Sequence, residues 1–174
     1  VGVFIKALSL LDPGLFDLAI IAGWGKQRRK LEALVLKLGL EEKVEFVGPI
    51  QGSSKRRILQ DSSCVVIPTL NWEACSLVAL ESFACASPIV ASDIEGVSHF
   101  FRYGDFGELV VPNDELALAQ GIERVLIDPK SSRLKGKSAR EYASQFIWCN
   151  IAKQHLRLYE SLLGTEIRKV RAVG

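Results

Sequence analysis

A chain of 174 residues that is 48% hydrophobic and 24% charged carries enough apolar material for one globular core, which argues against a disordered or fibrous segment. Its formal charge of +2 at pH 7 is too small for a nucleic-acid-binding surface, and the basic residues fall on helical stretches (26–30 and 55–57) or in the tail at Arg168, Lys169 and Arg171. No run approaches the roughly 20 apolar residues of a membrane helix, and there is no signal-peptide pattern, so a cytoplasmic location is expected.

Strand-like and helix-like runs alternate along the whole chain. Residues 3–11 have apolar positions at helical spacing and are stopped by Asp12-Pro13-Gly14. Residues 18–22 form a short continuous apolar run, the pattern of a strand buried on both faces. Gly23-Trp24-Gly25 follows, and then an amphipathic helix over 26–38 places Leu31, Leu34, Val35 and Leu38 on one face, ended by Gly39. Residues 44–47 are the next strand, closed by Gly48-Pro49, and Ser53 or Ser54 could cap a helix running to about residue 62. A third strand at 64–67 ends at Pro68, and a polar loop leads to a helix over 76–85. Strands at 88–91 and 107–111 flank a short helix near 97–102; Asn113 or Asp114 can cap a helix through 127, and helices at 130–145 and 148–163 complete the chain.

Short strands alternating with longer helices imply βαβ units: a doubly wound parallel sheet with helices on both faces. In such sheets ligands bind where strand C-termini meet helix N-termini, which selects the loops at 23–26, 48–52, 68–76 and 92–96. Of the four cysteines, Cys64, Cys75, Cys85 and Cys149, none shows C-x-x-C spacing, and with two histidines in the chain no metal site is expected. Cys64 and Cys85 lie in apolar runs, where a thiol acts as a small core residue. A reduced compartment is the simpler inference, although an even count also permits a disulfide.

Gly23-Trp24-Gly25 is not a dinucleotide fingerprint, because Arg28 stands where the third glycine is required. It reads either as a tight turn closing a helix onto the sheet or as a close approach by a ligand phosphate beside Lys26. The segment from Pro68 to Glu81 carries more. Glu73 lies in the loop after a strand, Glu81 on the following helix, and the helix start at Ser76 offers unpaired N–H groups and a positive dipole end that suit a phosphate. Glu81 is about 7 Å further along the axis, where a carboxylate could accept from ribose hydroxyls; a structural salt bridge is the other reading. Its helix is apolar nearly all round and is expected to be mostly buried, which makes an unpartnered carboxylate costly. Glu73 could accept from hexose hydroxyls or be a solvated loop charge.

The segment Glu73-Ala-Cys-Ser-Leu-Val-Ala-Leu-Glu81-Ser-Phe-Ala-Cys-Ala-Ser-Pro88-Ile-Val-Ala-Ser92 resembles the E-x7-E element of GT-B glycosyltransferases, in particular the large retaining family 4 (glycosyl transferases group 1). Members often read E-G-F-G-L-x-x-L-E-A-M-A-C-G-x-P-V-V-A-S. Other stretches are similar in the same order: Ile21-Ala-Gly-Trp-Gly25 to V-G-x-G, residues 38–48 to L-G-L-x-x-x-V-x-F-x-G, Val66-Ile-Pro-Thr69 to V-L-P-S, Ile94-Glu-Gly-Val97 to V-G-G-I, Gly107-Glu-Leu-Val-Val-Pro112 to G-x-L-V-x-P, and Phe146-Ile-Trp148 to F-S-W. The resemblance covers about residues 1–163.

The resemblance implies the C-terminal, nucleotide-sugar-binding domain of a GT-B fold over residues 1–164, with residues 165–174 a disordered basic tail. It implies transfer of a hexose, with retention and without a metal, from a UDP- or GDP-linked donor to an acceptor held by an N-terminal domain not in this chain. Membrane contact would come only through such absent regions, and no cofactor is implied. By the same resemblance Glu73 holds donor-sugar hydroxyls as the catalytic residue. The backbone around Ser76, Leu77 and Val78, with Ala74 and Cys75 beside it, takes the diphosphate. Glu81 takes the ribose, Phe46, Val47, Gly48 and Pro49 flank the base, and Gly23 and Gly25 line the donor site.

Three positions depart from the pattern. Ala74 and Ser76 replace glycines and could narrow or retune the sugar pocket; Ala86 replaces another glycine, read as a matter of packing. The chain begins at Val1 within a helix, so the family's first strand and its Arg and Lys contacts to the diphosphate are expected to be missing, with part of the sheet exposed. Weak donor binding and no turnover are then expected of the chain alone. The alternative is a GT-B-like module that has lost catalysis and serves in binding or scaffolding; a nucleotide-sugar epimerase of related fold is favoured less.

Overall fold

The expected alternation is present in the computed structural model, which describes residues 1–163; the tail expected at 165–174 lies outside the described residues. Five strands are described, β1 (Ala19–Ala22), β2 (Val44–Gly48), β3 (Val65–Ile67), β4 (Ile89–Ser92) and β5 (Gly107–Val110). The helices among the described residues are α1 (Gly2–Leu8), α2 (Arg28–Lys37), α3 (Gly52–Asp61), α4 (Leu77–Ala84), α5 (Glu95–Ser98), α6 (Glu115–Ile127), α7 (Pro129–Ala143) and α8 (Trp148–Leu163). Single 3-10 turns, His99–Arg102 and Ser144–Phe146, follow α5 and α7. Every strand pair is parallel: β1 with β2, β3 with β4, and β4 with β5.

The period-two alternation of β4 distributes the core between two faces. Ile89 and Ala91 point into a cluster with Phe83 of α4, Val97, Phe100, Phe106 and Ala139 of α7. Val90 points the other way, into a cluster with Val110, Leu118 and Ile122 of α6 and Ile5 and Leu8 of α1. The buried helix faces thus cover both sides of β4, the Rossmann-like α/β arrangement expected. Helix ends follow local chemistry. Asp114 caps α6 by accepting from the Ala117 N–H at 2.8 Å, Asp128 caps α7 by accepting from Ser131, and Pro129 opens α7, where its missing N–H costs nothing. Gly39, at φ +67°, ends α2 in the left-handed conformation that glycine adopts most readily.

Local expectations are corrected in several places. α1 ends at Leu8 rather than residue 11. Neither Ser53 nor Ser54 caps α3, which starts earlier, after Gln51, without a side-chain cap. Ala86 is a conformational position rather than a packing one. It sits just beyond α4 at φ +61°, where a Cβ costs about 1 kcal/mol or more relative to glycine.

The largest correction concerns β1. It is not buried on both faces: Ala19 is buried, but Ile20 is 37% exposed and Ala22 is exposed. The reason is that the strands form two separate sheets, β1–β2 and β3–β4–β5, instead of one. The unpaired edges of β1 and β3 lie across a cavity of about 500 Å³ lined by Ala19, Ile20, Cys64 and Val66, with Leu8 of α1 and Ile58 of α3 also on its walls. Part of the sheet was expected to be exposed, and the exposed part lies here, at the unpaired edges of β1 and β3.

Candidate functional site

The loops at the C-terminal ends of the strands carry the residues selected from the sequence. After β1, Gly23 adopts φ +122° and donates its N–H to the Gly48 carbonyl at 2.7 Å, joining the loop after β1 to the end of β2. Trp24 between the two glycines is 87% exposed. A side chain built on Gly23 or Gly25 would meet nothing within 4 Å, so these glycines do not serve to close α2 onto the sheet. The loop is open to a ligand.

On β2, Phe46 and Val47 are half-buried, Gly48 is buried and Pro49 exposed. Phe46 has a partner that sequence reasoning missed. The Arg28 guanidinium, at the first residue of α2, lies 5.6 Å from its ring centroid and donates to its carbonyl at 3.3 Å. Arg28 also donates to Glu32 one turn on, at 2.8 Å, so its head group is held over the β2 end. The i, i+4 spacing of Arg28 and Glu32 was a readable signal; the contact with Phe46 was not.

After β3 the chain runs through Thr69, Trp72 and Glu73 to α4. Ala74 and Cys75 are exposed and Ser76 is buried at 2%, its N–H donated to the Gly96 carbonyl at 3.0 Å. Burial in the first place, and the neighbouring Glu73 carboxylate in the second, raise the Cys75 thiol pKa. Ser76 occupies the cap position of α4 without a side-chain cap bond, and the backbone N–H groups of Leu77, Val78 and Ala79 meet no acceptor among the described residues. Leu77 is 70% exposed and Val78 49%, which corrects the expectation of a helix buried nearly all round. The first turn of α4 faces solvent beyond the strand ends, while Ala79, Ser82 and Phe83 face the core. Two unpaired donors, on Leu77 and Val78, and a dipole end therefore sit at an accessible surface, an arrangement suited to an anion, while Ala79 is fully buried behind them.

Glu73 and Glu81 flank this turn, both half-buried. Glu73 packs against Gly96 of α5: a Cβ on Gly96 would fall 2.3 Å from the Glu73 carbonyl oxygen. Glu81 is ion-paired, with Lys55 Nζ of α3 2.5 Å from its Oε1. The salt bridge considered for Glu81 is thus present, made to a residue 26 positions earlier that no sequence signal linked to it. The structure brings Glu73, Ser76, Leu77, Val78 and Glu81 onto one loop-and-helix unit, and Gly23, Gly25 and Phe46–Pro49 onto the neighbouring β1–β2 pair. Lys55 of α3, which follows β2, reaches across to α4. The 500 Å³ cavity lies between the sheets and includes none of these residues.

The family profile described as glycosyl transferases group 1 matches residues 2–142. The chain belongs to this family. Among curated relatives it is 31% identical over 142 residues to an uncharacterized glycosyltransferase of Methanocaldococcus jannaschii, covering 81% of this chain and 36% of that protein. It is 34% identical to a D-inositol 3-phosphate glycosyltransferase of Corynebacterium urealyticum, over 81% of this chain and 33% of the relative. Of solved structures, a sucrose-phosphate synthase from Thermosynechococcus elongatus superposes with a TM-score of 0.78 at 31% identity, over 94% of this chain and 43% of that one. An Anabaena HepE structure in complex with UDP-glucose matches at a TM-score of 0.79 and 24% identity, over 94% of this chain and 44% of that one, a likeness of fold. The group 1 chain thus spans about a third of these curated relatives and less than half of the solved chains. Among the described residues no helix is long and apolar enough to cross a membrane.

Proposed function

We propose that this group 1 chain is the donor-binding portion of a retaining, metal-independent hexosyltransferase of the cytoplasm, completed by an N-terminal domain that holds the acceptor. The observation that carries the reading is the open first turn of α4, with accessible unpaired N–H groups at Leu77 and Val78 between the carboxylates of Glu73 and Glu81. The diphosphate of a nucleotide sugar rests on that turn. Glu81 accepts from the ribose, Glu73 from the hexose, and Phe46–Pro49 border the base, with Gly23 and Gly25 leaving room for the donor. As the glycosidic bond to the β-phosphate breaks, negative charge grows on the departing diphosphate, and the fixed donors at the helix start stabilise it without reorganising. HepE, a fold neighbour, is described in complex with UDP-glucose, which supports a nucleoside diphosphate sugar as the donor class; UDP- and GDP-linked sugars are both within it.

The gap between β1 and β3 supports the idea that further polypeptide completes the sheet. Donor binding by the chain alone is accordingly weak, and it shows no turnover. Calorimetric titration of UDP, GDP and their hexose conjugates tests the reading. The expected result is binding of one nucleotide series, weakened about 10-fold or more by Glu81→Ala, the loss of hydrogen bonds to a charged acceptor. Absence of binding to either series would falsify it, and transfer of sugar by the chain alone would overturn the expectation that the chain is incomplete.

A further inference from the structure

Lys55 lies on α3, outside every loop that the fold selects for ligands, yet it makes the hydrogen-bonded ion pair described for the Glu81 side chain. The pair is half in water, with side-chain exposures of 35% for Lys55 and 40% for Glu81. α3 is held against the α4–β4 connection a second time, by the buried Ser87 hydroxyl donating to the Leu59 carbonyl, so Lys55 is presented from a fixed element. Its ammonium occupies Oε1 of Glu81, and no donor among the described residues is bonded to Oε2. From Ser76 to Glu81 is five residues, about 7.5 Å of helix rise, so the carboxylate stands close to where the proposed diphosphate sits. An uncompensated carboxylate there would repel that anion and would be free to change rotamer.

We infer that Lys55 is a positioning residue for nucleotide recognition: it fixes the Glu81 carboxylate with Oε2 turned to the ribose hydroxyls and cancels the charge that would oppose the neighbouring diphosphate. The inference rests on the donor-site reading above. A lysine is suited to this because its compact ammonium can hold one oxygen and leave the other free, whereas an arginine fork tends to engage both oxygens of a carboxylate.

The test is calorimetric, on the chain and on Lys55→Met, Glu81→Gln and the double variant, using UDP, GDP and their dideoxyribose analogues. Wild type is expected to prefer the ribose form of one nucleotide. Lys55→Met weakens that form roughly 10-fold, the loss of a charge-assisted bond, and shrinks the preference over the dideoxy analogue. Because Lys55 acts through Glu81, the double variant binds as Glu81→Gln alone does, a non-additivity that general loss of folding would not produce. Unchanged affinity in Lys55→Met overturns the proposal, as does an equal loss for the ribose and dideoxy forms or a loss that persists in the Glu81→Gln background. If wild type binds neither nucleotide, the donor-site reading itself falls and takes this inference with it, an outcome distinct from the other three.

Discussion

Residue 96 has no room for a side chain. A Cβ there would meet the Glu73 carbonyl oxygen at 2.3 Å and the Glu73 Cβ at 2.5 Å, and both obstacles are fixed parts of the loop rather than the end of a flexible side chain. The same glycine accepts the Ser76 N–H, so one residue of α5 sets the path of the whole loop into α4. Gly96→Ala is expected to leave the far-ultraviolet circular dichroism intact while pushing Glu73 outward. Nucleotide-sugar affinity, read by calorimetry, falls about 10-fold, because small displacements of a positioning group are amplified in binding and rate. Wild-type affinity in that variant would detach Glu73 from the site. The sequence singled out Glu73 and Glu81 through their spacing and the helix start between them. It could not show Lys55 as the partner of Glu81 or Arg28 as the partner of Phe46, because those contacts span 26 and 18 residues and depend on how α2 and α3 return to the sheet.

At the scale of elements, β5, α6 and α7 are tied together at the β5 end of the β3–β4–β5 sheet. Glu108 of β5 accepts from Arg124 of α6 at 2.9 Å and from Lys135 of α7 at 3.0 Å, and Lys135 also reaches Asp105 at 3.2 Å. Partial burial opposes ionisation of Glu108, but the hydrogen bonds and charges of Lys135 and Arg124 outweigh it and leave its pKa below the ordinary value. A depressed carboxylate stabilises the fold in its ionised form. That contribution is complete above the ordinary carboxylate range and disappears as pH falls through the lowered folded value. Lys135 shifts the other way: burial opposes its charge, Glu108 and Asp105 overcome that, and its contribution is lost only as pH climbs through a raised folded pKa. Glu108→Gln is therefore expected to lower the urea midpoint at pH 7 and to reduce its fall below about pH 5. An unchanged acid limb in the variant would show that other carboxylates control it. The order of these elements was legible because β5 reads as an apolar run stopped by Pro112 and α6 as a helix capped by Asn113 or Asp114; the Asp128 cap of α7 was seen only in the structure. The network was not, since charged side chains carry no periodic signature of their partners.

The strands of the molecule are divided along the gap between β1 and β3 while one apolar cluster, running from Ala19 and Val44 to Val90 and Val110, joins the two sides, and Cys64 reports on the gap. Burial pushes the Cys64 thiol pKa up to about 12, although the residue borders the cavity. Cys149, by contrast, is exposed on α8, and all four cysteines are free. In a thiol-labelling time course near pH 8, Cys149 is expected to react well before Cys64, because the thiolate is the reactive form and access limits the rest. Equal rates would mean that water enters the gap to the depth of β3. Residues 64–67 read as a buried strand from sequence, but only Ile67 is buried, and Cys64, Val65 and Val66 are half-buried along the unpaired edge. The exposure of Ile20 on the β1 side could not be read locally, because it depends on what lies beside the strand rather than on the strand itself.

Read alone, the amino-acid order determined the parallel α/β class, the approximate bounds of the strands and longer helices, the family, and the loop-and-helix unit from Pro68 to Glu81. Those properties come from contacts close along the chain: apolar periodicity, capping side chains, glycines at helix ends, and motif spacing. Tertiary structure alone decided that the strands form two sheets, that Leu77 and Val78 are exposed, that Ala86 adopts a left-handed backbone, and that Glu81 is paired with Lys55. Each depends on which distant segments pack together, and so on the path of the chain in space.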